Sequence, residues 1–319
     1  MSRYLLRRLL ILVPVLAAIS AVLFTILALA PGDPFEELAT NPNVPPEVRA
    51  NLRAQFGLDD PIPIRYARWF TSMMRGDWGF SFVSRVDVQT LIWQRLPTSL
   101  FVLGSAQLLG LLVALPIGIY SAMRPYSLFD QITTTFAFIG FSLPSFFTGL
   151  LFILFFSIYL DWLPFIYRAD VGGTGLAWLW ANVKQAIMPV AVLGLAQGAA
   201  TTRFVRSAVL EVIRLDYINT ARAKGLSEKV TIVKHVVRNA LIPVVTVIAL
   251  QVPTIFAGAV VTEQIFRVPG IGSLLIAAIQ SSDTPVILAI TFVYAVLVVL
   301  LSLAADIVYG WLDPRITYR

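Results

Sequence analysis

The chain has 319 residues, 58% of them hydrophobic and 13% charged, with a mean hydropathy of +0.80; soluble domains carry about 25% charged residues, so the apolar excess must face lipid. No cysteine is present and His235 is the single histidine, which excludes disulfides, iron–sulfur clusters, thiolate catalysis and an ordinary zinc or nickel site. The formal net charge of +6 fits the basic cytoplasmic loops of a membrane protein and does not call for a nucleic-acid partner.

Six apolar runs near 20 residues follow in chain order. They are Leu9–Leu29, Ser99–Ala122, Ile132–Leu160, the short Ala186–Thr202, Leu241–Val261 and Val286–Val308. The first run is longer than a signal-peptide core and Pro31 would follow a cut after Ala30, so it reads as a retained span. The expected fold class is an all-α membrane protein with six transmembrane helices. Counting Lys and Arg sets the orientation. With both termini cytoplasmic, the inner pieces 1–8, 123–131, 203–240 and the tail from 309 carry 14 of the 24 basic residues, against 6 of the 18 acidic ones when Asp306 is assigned to the inner end of the last span. The predicted organisation is residues 1–30 as N-terminus and first helix, 31–97 as an extracytoplasmic loop, and 98–319 as a five-helix core.

The long outer loop carries helix punctuation. Pro45-Pro46-Glu47 opens one helical pattern that Gly57 closes, and a second runs from Pro63 to Arg75 and stops at Gly76. Val86–Leu96 has the pattern of an amphipathic surface helix, with Pro97 turning the chain inward. The loop is either a capped, solvated excursion or a docking surface for an outside partner. A third outer piece holds Phe266, Arg267, Pro269, Gly270 and Gly272, then the apolar run Ser273–Ile279, too short to span and expected at the interface.

Residues 203–240 are the most informative cytoplasmic segment. Arg203–Ile213 extends the preceding helix, a short helix covers Tyr217 to Lys224, and Ser227 starts a new one. Gly225 is a plausible C-cap and Ser227 a plausible N-cap. A short helix between turns can act as a rigid lever on a soluble partner: Thr220, Ala221 and Ala223 allow close approach, while Arg222 and Lys224 offer charge. The same residues also fit an ordinary basic loop.

The stretch Thr220-Ala221-Arg222-Ala223-Lys224-Gly225-Leu226, followed by Arg238-Asn239-Ala240-Leu241-Ile242-Pro243, resembles the EAA loop of ABC-importer permeases in its dipeptide/oligopeptide version. Asn219-Thr220-Ala221 stands where the general pattern has Glu-Ala-Ala. The likeness continues through Pro31–Pro34, Phe56–Asp59, Gly76–Gly79, Arg95–Leu100, Glu263 with Phe266 and Pro269-Gly270, and Leu312–Arg315. It covers nearly the whole chain and is closest to the first of the paired permeases. The resemblance implies a type I importer permease fold in a bacterial or archaeal cytoplasmic membrane, and a homologous second permease as partner. It also implies two ABC ATPase subunits that hold ATP and magnesium, and an extracytoplasmic solute-binding protein that delivers substrate. On the same basis Tyr217, Asn219, Thr220, Ala221, Arg222, Ala223, Lys224, Gly225 and Leu226 would couple to an ATPase, and Phe266, Arg267, Pro269, Gly270 and Gly272 would face the binding protein. The solutes of such systems include dipeptides, oligopeptides, nickel complexes, glutathione and sugars.

None of the 19 glycines precedes a lysine, so no P-loop exists here and the chain is expected to be non-catalytic, with no cofactor or metal of its own. The rival transport reading is an ion-coupled secondary transporter, which should place acidic groups or broken helices at mid-bilayer. Glu263 and Asp306 lie near span ends, where interfacial anchoring is the commoner role. A membrane enzyme would need a nucleophile–base pair or a metal cluster. Polar groups within spans, Gln107, Ser142, Gln197, Thr201, Gln251 and Thr254, either line a solute path or bond to neighbouring helices. Gly194 and Gly198 form a GxxxG pattern suited to close packing. Pro116, Pro144, Pro189, Pro243 and Pro253 can kink their helices.

Overall fold

The computed structural model describes residues 2–29, 47, 57, 59–168 and 174–312. Those residues are almost wholly helical, as the composition requires, and a single isolated antiparallel bridge (Phe80 to Asp87) is the only strand-like pairing among them. The helix expected from Pro45 to Gly57 falls almost entirely outside the described residues.

Helix α1 is Ser2–Leu29 and α2 is Ile62–Met74. Pro61 and Pro63 flank the start of α2, where a missing N–H costs nothing. Gly76, at φ +90°, follows its end. The chain then forms α3, Val88–Met123, as one continuous helix of 36 residues. Pro97 therefore does not turn the chain, contrary to the expectation of a separate surface helix. Val88, Ile92 and Leu96, spaced four apart, are all buried. That apolar stripe holds the helix together across the one backbone bond the proline removes.

The third apolar run is broken. Helix α4, Leu128–Ser142, is N-capped by Ser127. Leu143 is extended because Pro144 follows it, and α5, Ser145–Phe152, leaves at 104° to α4 before widening into a π-helical segment, Ile153–Tyr159. Helix α6, Gly175–Val212, runs 38 residues and extends the short fourth run in both directions. Then come α7, Asp216–Ala223, and α8, Glu228–Val230, which passes through a second π-helical segment, Thr231–Val237, into α9, Arg238–Phe266. Helices α10, Ile271–Gln280, and α11, Thr284–Leu312, complete the described chain. Among the described residues five helices are long and apolar enough to cross a membrane, and as many as seven spans result if each of two bent pairs counts as one. The protein is thus a multi-pass helical membrane protein whose span count brackets the six expected.

The contacts sort into two compact units, Met1–Pro97 with Ser273–Val299, and Thr98–Gly272 with Leu300–Arg319. In the first, α1 seats on α2 through polar and aromatic contacts. The Ser20 hydroxyl and Tyr66 phenol lie 2.9 Å apart, and Phe24 packs on Tyr66 and Trp69. In the second, α3 and α6 cross at glycines. A Cβ on Gly110 would stand 3.0 Å from the Gly194 carbonyl, and one on Gly194 would stand 2.8 Å from the Ala106 carbonyl. The GxxxG pattern is used as expected, letting two backbones approach closely.

Candidate functional site: a short exposed helix, the polar span residues and a carboxylate-filled turn

Helix α7 is short enough that its position depends on tertiary contacts. Ile218 is fully buried and Ala221 nearly so, in a cluster with Ala122, Val205, Val209, Val236 and Ala240. The opposite side presents Tyr217, Asn219, Thr220, Ala223, Lys224 and Leu226 to solvent. Asp216 in the first turn and Arg222 in the last complement the helix dipole. Of the nine residues expected to face an ATPase, Ala221 therefore faces inward and forms part of the seat.

The exit from α7 is built for rigidity. Gly225 has φ +80°, a left-handed conformation that only glycine adopts without strain, and no atom lies within 4 Å of where its Cβ would be. Its N–H donates to the Arg222 carbonyl at 2.9 Å. Arg222 then reaches over the turn to Glu228, donating from Nε at 3.1 Å and from Nη2 at 2.7 Å. The carboxylate raises the Arg222 guanidinium above its already high ordinary value, so the pair stays charged at any working pH. Ser227 occupies the N-cap position of α8 but makes no side-chain capping bond; the Arg222–Glu228 fork holds that turn closed. Val236 and Ala240, beneath Ile218, connect the seat directly to the π-helical segment and α9.

The six polar span residues make different bonds. The Thr201 hydroxyl donates to Gln251 Oε1 at 3.4 Å, joining α6 to α9. Thr254 donates to its own helix at the Gln251 carbonyl, 2.7 Å away. Gln197 lies against Gly110 at the glycine crossing. Ser142 closes α4 and is exposed. Gln107 Oε1 is buried and unpaired among the described residues.

The turn after α9 differs most from expectation. Arg267 adopts the left-handed conformation at φ 51° and is exposed, and Pro269 is half-buried. Phe266, Gly270 and Gly272 are buried, so the surface open to an outside partner reduces to Arg267 and Pro269. Glu263 is buried too, and not an interfacial anchor. Its Oε1 accepts from the Ser99 hydroxyl at 2.6 Å, and Ser99 in turn accepts from the Ile271 N–H at 2.8 Å. A Cβ on Gly270 would overlap the Glu263 carboxyl group, and one on Gly272 would stand 2.8 Å from Glu263 Oε2. The glycines are there to make room for a carboxylate.

Two further buried carboxylates escaped the sequence. Asp283, just before α11, accepts from the Ser81 hydroxyl at 2.5 Å and from the Phe82 and Val83 N–H groups at 3.2 and 3.4 Å. It thereby pins the loop before α3. Asp130 takes a bidentate pair from Arg206 at 2.6 and 2.7 Å, a bond from the Tyr126 N–H at 2.8 Å, and a short one from Ser121. That ties α3, α4 and α6 together. The local signal for Asp283 was its place in Ser-Ser-Asp-Thr-Pro, a helix-start pattern; Asp130 had only the capping Ser127 before it. Among the described residues no group of three His, Cys, Asp or Glu side chains could hold a metal ion.

Residues 1–103 match the family described as binding-protein-dependent transport system membrane component, N-terminal, and residues 114–318 match the binding-protein-dependent transport system inner membrane component. The chain is 40% identical over 320 residues to the oligopeptide transport system permease protein AppB of Bacillus subtilis. It is 35% identical over 338 residues to the dipeptide transport system permease protein DppB of Escherichia coli K12, and 36% identical over 319 residues to the glutathione transport system permease protein GsiC of Salmonella paratyphi A. Each alignment covers 100% of both chains. Among solved structures, an amino acid ABC transporter crystallised with histidines aligns with a TM-score of 0.53 at 15% identity, covering 73% of this chain and 99% of that one. That likeness concerns the fold alone.

Proposed function

The chain belongs to the family of binding-protein-dependent transport system inner membrane components, and from that premise we propose that it is one of two permease subunits of an ATP-driven importer for peptides or similar small solutes. A second, homologous permease completes the translocation path, two ABC ATPases supply ATP and magnesium, and a binding protein delivers the solute from outside. Six spans with both termini cytoplasmic fit this reading, in a bacterial or archaeal cytoplasmic membrane. The peptide class is supported by the names of the full-length relatives.

The observation that carries the proposal is α7. It is an exposed helix seated by Ile218 and Ala221 on the same cluster that holds Val236 and Ala240. A push on its outer face moves that cluster, and with it the start of α9. Closure of the ATPases on ATP would in this way bias the inward and outward populations of the spans. Ion-coupled transport is less well supported, because Asp130, Glu263 and Asp283 are each engaged in bonds that hold turns and helices together. Purification of the full chain from its native membrane tests the assignment. Two ATPases and a second permease should co-purify, and ATP should drive solute uptake in reconstituted vesicles. Uptake by the chain alone, driven by an ion gradient, would overturn it.

A further inference from the structure

A recess of about 440 Å³ opens between α4 and α6. Its walls include Phe138 and Phe141 of α4 and Phe204 of α6, with the hydroxyls of Thr134 and Ser207 and the guanidinium of Arg203. The three rings are all exposed. Beside the recess, a Cβ on Gly140 would stand 3.2 Å from that of Ala199, so the two helices are in close contact there and the recess has a fixed floor.

Charge in the recess does not balance. Arg206, also in its wall, is neutralised by Asp130. Arg203 lies over the Phe138 ring at 4.2 Å and near the Phe141 ring at 5.9 Å, and among the described residues it meets no carboxylate. A guanidinium stacked on an aromatic face keeps its N–H edge free for a phosphate or carboxylate, which it binds as a fork. A cation set in an apolar helix surface gains most from an anion that brings its own apolar stem.

We propose that this recess binds the headgroup of an anionic membrane phospholipid. The phosphate sits on Arg203 with Ser207 as a second donor, and an acyl chain lies along Phe138, Phe141 and Phe204. Basic recesses between membrane helices commonly bind such headgroups on the cytoplasmic side. The leaflet rests on the orientation proposed above, whereas the ligand chemistry rests on the recess itself.

The test uses the full chain in mild detergent, delipidated and titrated with phosphatidylglycerol or with phosphatidylcholine of the same acyl length, bound lipid being read by native mass spectrometry. Phosphatidylglycerol should be retained in preference, and Arg203→Gln should weaken it by about tenfold, the loss expected for one charge-assisted pair. Phe138→Leu, which removes the ring but keeps apolar volume, should weaken it less, and both variants should elute as the wild type does on size exclusion. Equal retention of the two lipids, or no change in Arg203→Gln, overturns the proposal. Displacement of the lipid by a dipeptide but not by glycerol phosphate would also overturn it and assign the recess to a solute carboxylate. Binding to the isolated chain but not to the complex purified from native membranes would show a subunit contact instead, and the proposal would fail. Each of these outcomes is independent of whether ATP drives uptake.

Discussion

Replacing Gly270 with alanine isolates the steric role of the turn after α9, because Gly270 does not have a positive φ and no backbone strain enters. The added methyl overlaps the Glu263 carboxyl group, so the carboxylate must leave the Ser99 hydroxyl that it accepts from at 2.6 Å. Losing a buried charge-assisted bond costs about 1.5–3 kcal/mol, and forcing a methyl into a filled site costs about 1–3 kcal/mol. Gly270→Ala should therefore destabilise the protein by about 2.5–6 kcal/mol. Glu263→Ala removes the same bond but empties the space. In that background the Gly270→Ala change should cost less than about 1 kcal/mol, giving a coupling of at least about 1.5 kcal/mol between two positions in contact. Reversible unfolding in mixed micelles, followed by tryptophan fluorescence, measures all four corners of the cycle. Additive costs would refute the argument that these glycines exist to house the carboxylate.

Asp283→Ala should free Ser81, Phe82 and Val83 from their shared acceptor, so limited proteolysis should cut within 79–87 at least about tenfold faster, as for a loop that has lost roughly 2 kcal/mol of local restraint. Asp130→Asn should cost about 3–5 kcal/mol because it leaves Arg206 partly buried and unpaired. Adding Arg206→Gln should recover much of that loss, and a fully additive double variant would contradict the pairing. The Arg222–Glu228 pair should show no pH dependence from about pH 6 to about pH 9. A raised guanidinium pKa adds stability that is present below the unfolded value and is lost only as pH rises through the folded one, above that window. Salt, by contrast, should weaken this exposed pair, which hydrogen exchange at residues 222–228 would detect.

Hydropathy made the spans legible because lipid demands long apolar runs, and the glycine crossing was legible because Gly194 and Gly198 repeat at one helical face. The short helix at Asp216–Ala223 was legible from Gly225 and from local pattern. Its inward side was not, since Ile218 and Ala221 are assigned by a cluster drawn from α3, α6 and α9. Pro97 misled because its helical break is local, whereas the burial of Val88, Ile92 and Leu96 that overrides it is tertiary. The break at Pro144 shows the reverse, a proline expected to kink its helix, where the chain bends by 104°. Buried carboxylates were the largest omission. Asp130, Glu263 and Asp283 find partners 76, 164 and 202 residues away, and no local window contains both ends of such a bond.

In the importer proposed above, the outer face of α7 passes ATPase motion to the spans while its inner face only seats it. Thr220 is exposed on that outer face and its hydroxyl merely returns to the Asp216 carbonyl at 3.0 Å, so Thr220→Trp should leave folding unchanged. The decisive measurement is ATP-driven uptake by the reconstituted complex carrying Thr220→Trp, beside the stability of the variant chain. Uptake and ATPase co-purification should both be lost at wild-type stability. Wild-type uptake with the bulky side chain in place would contradict the claim.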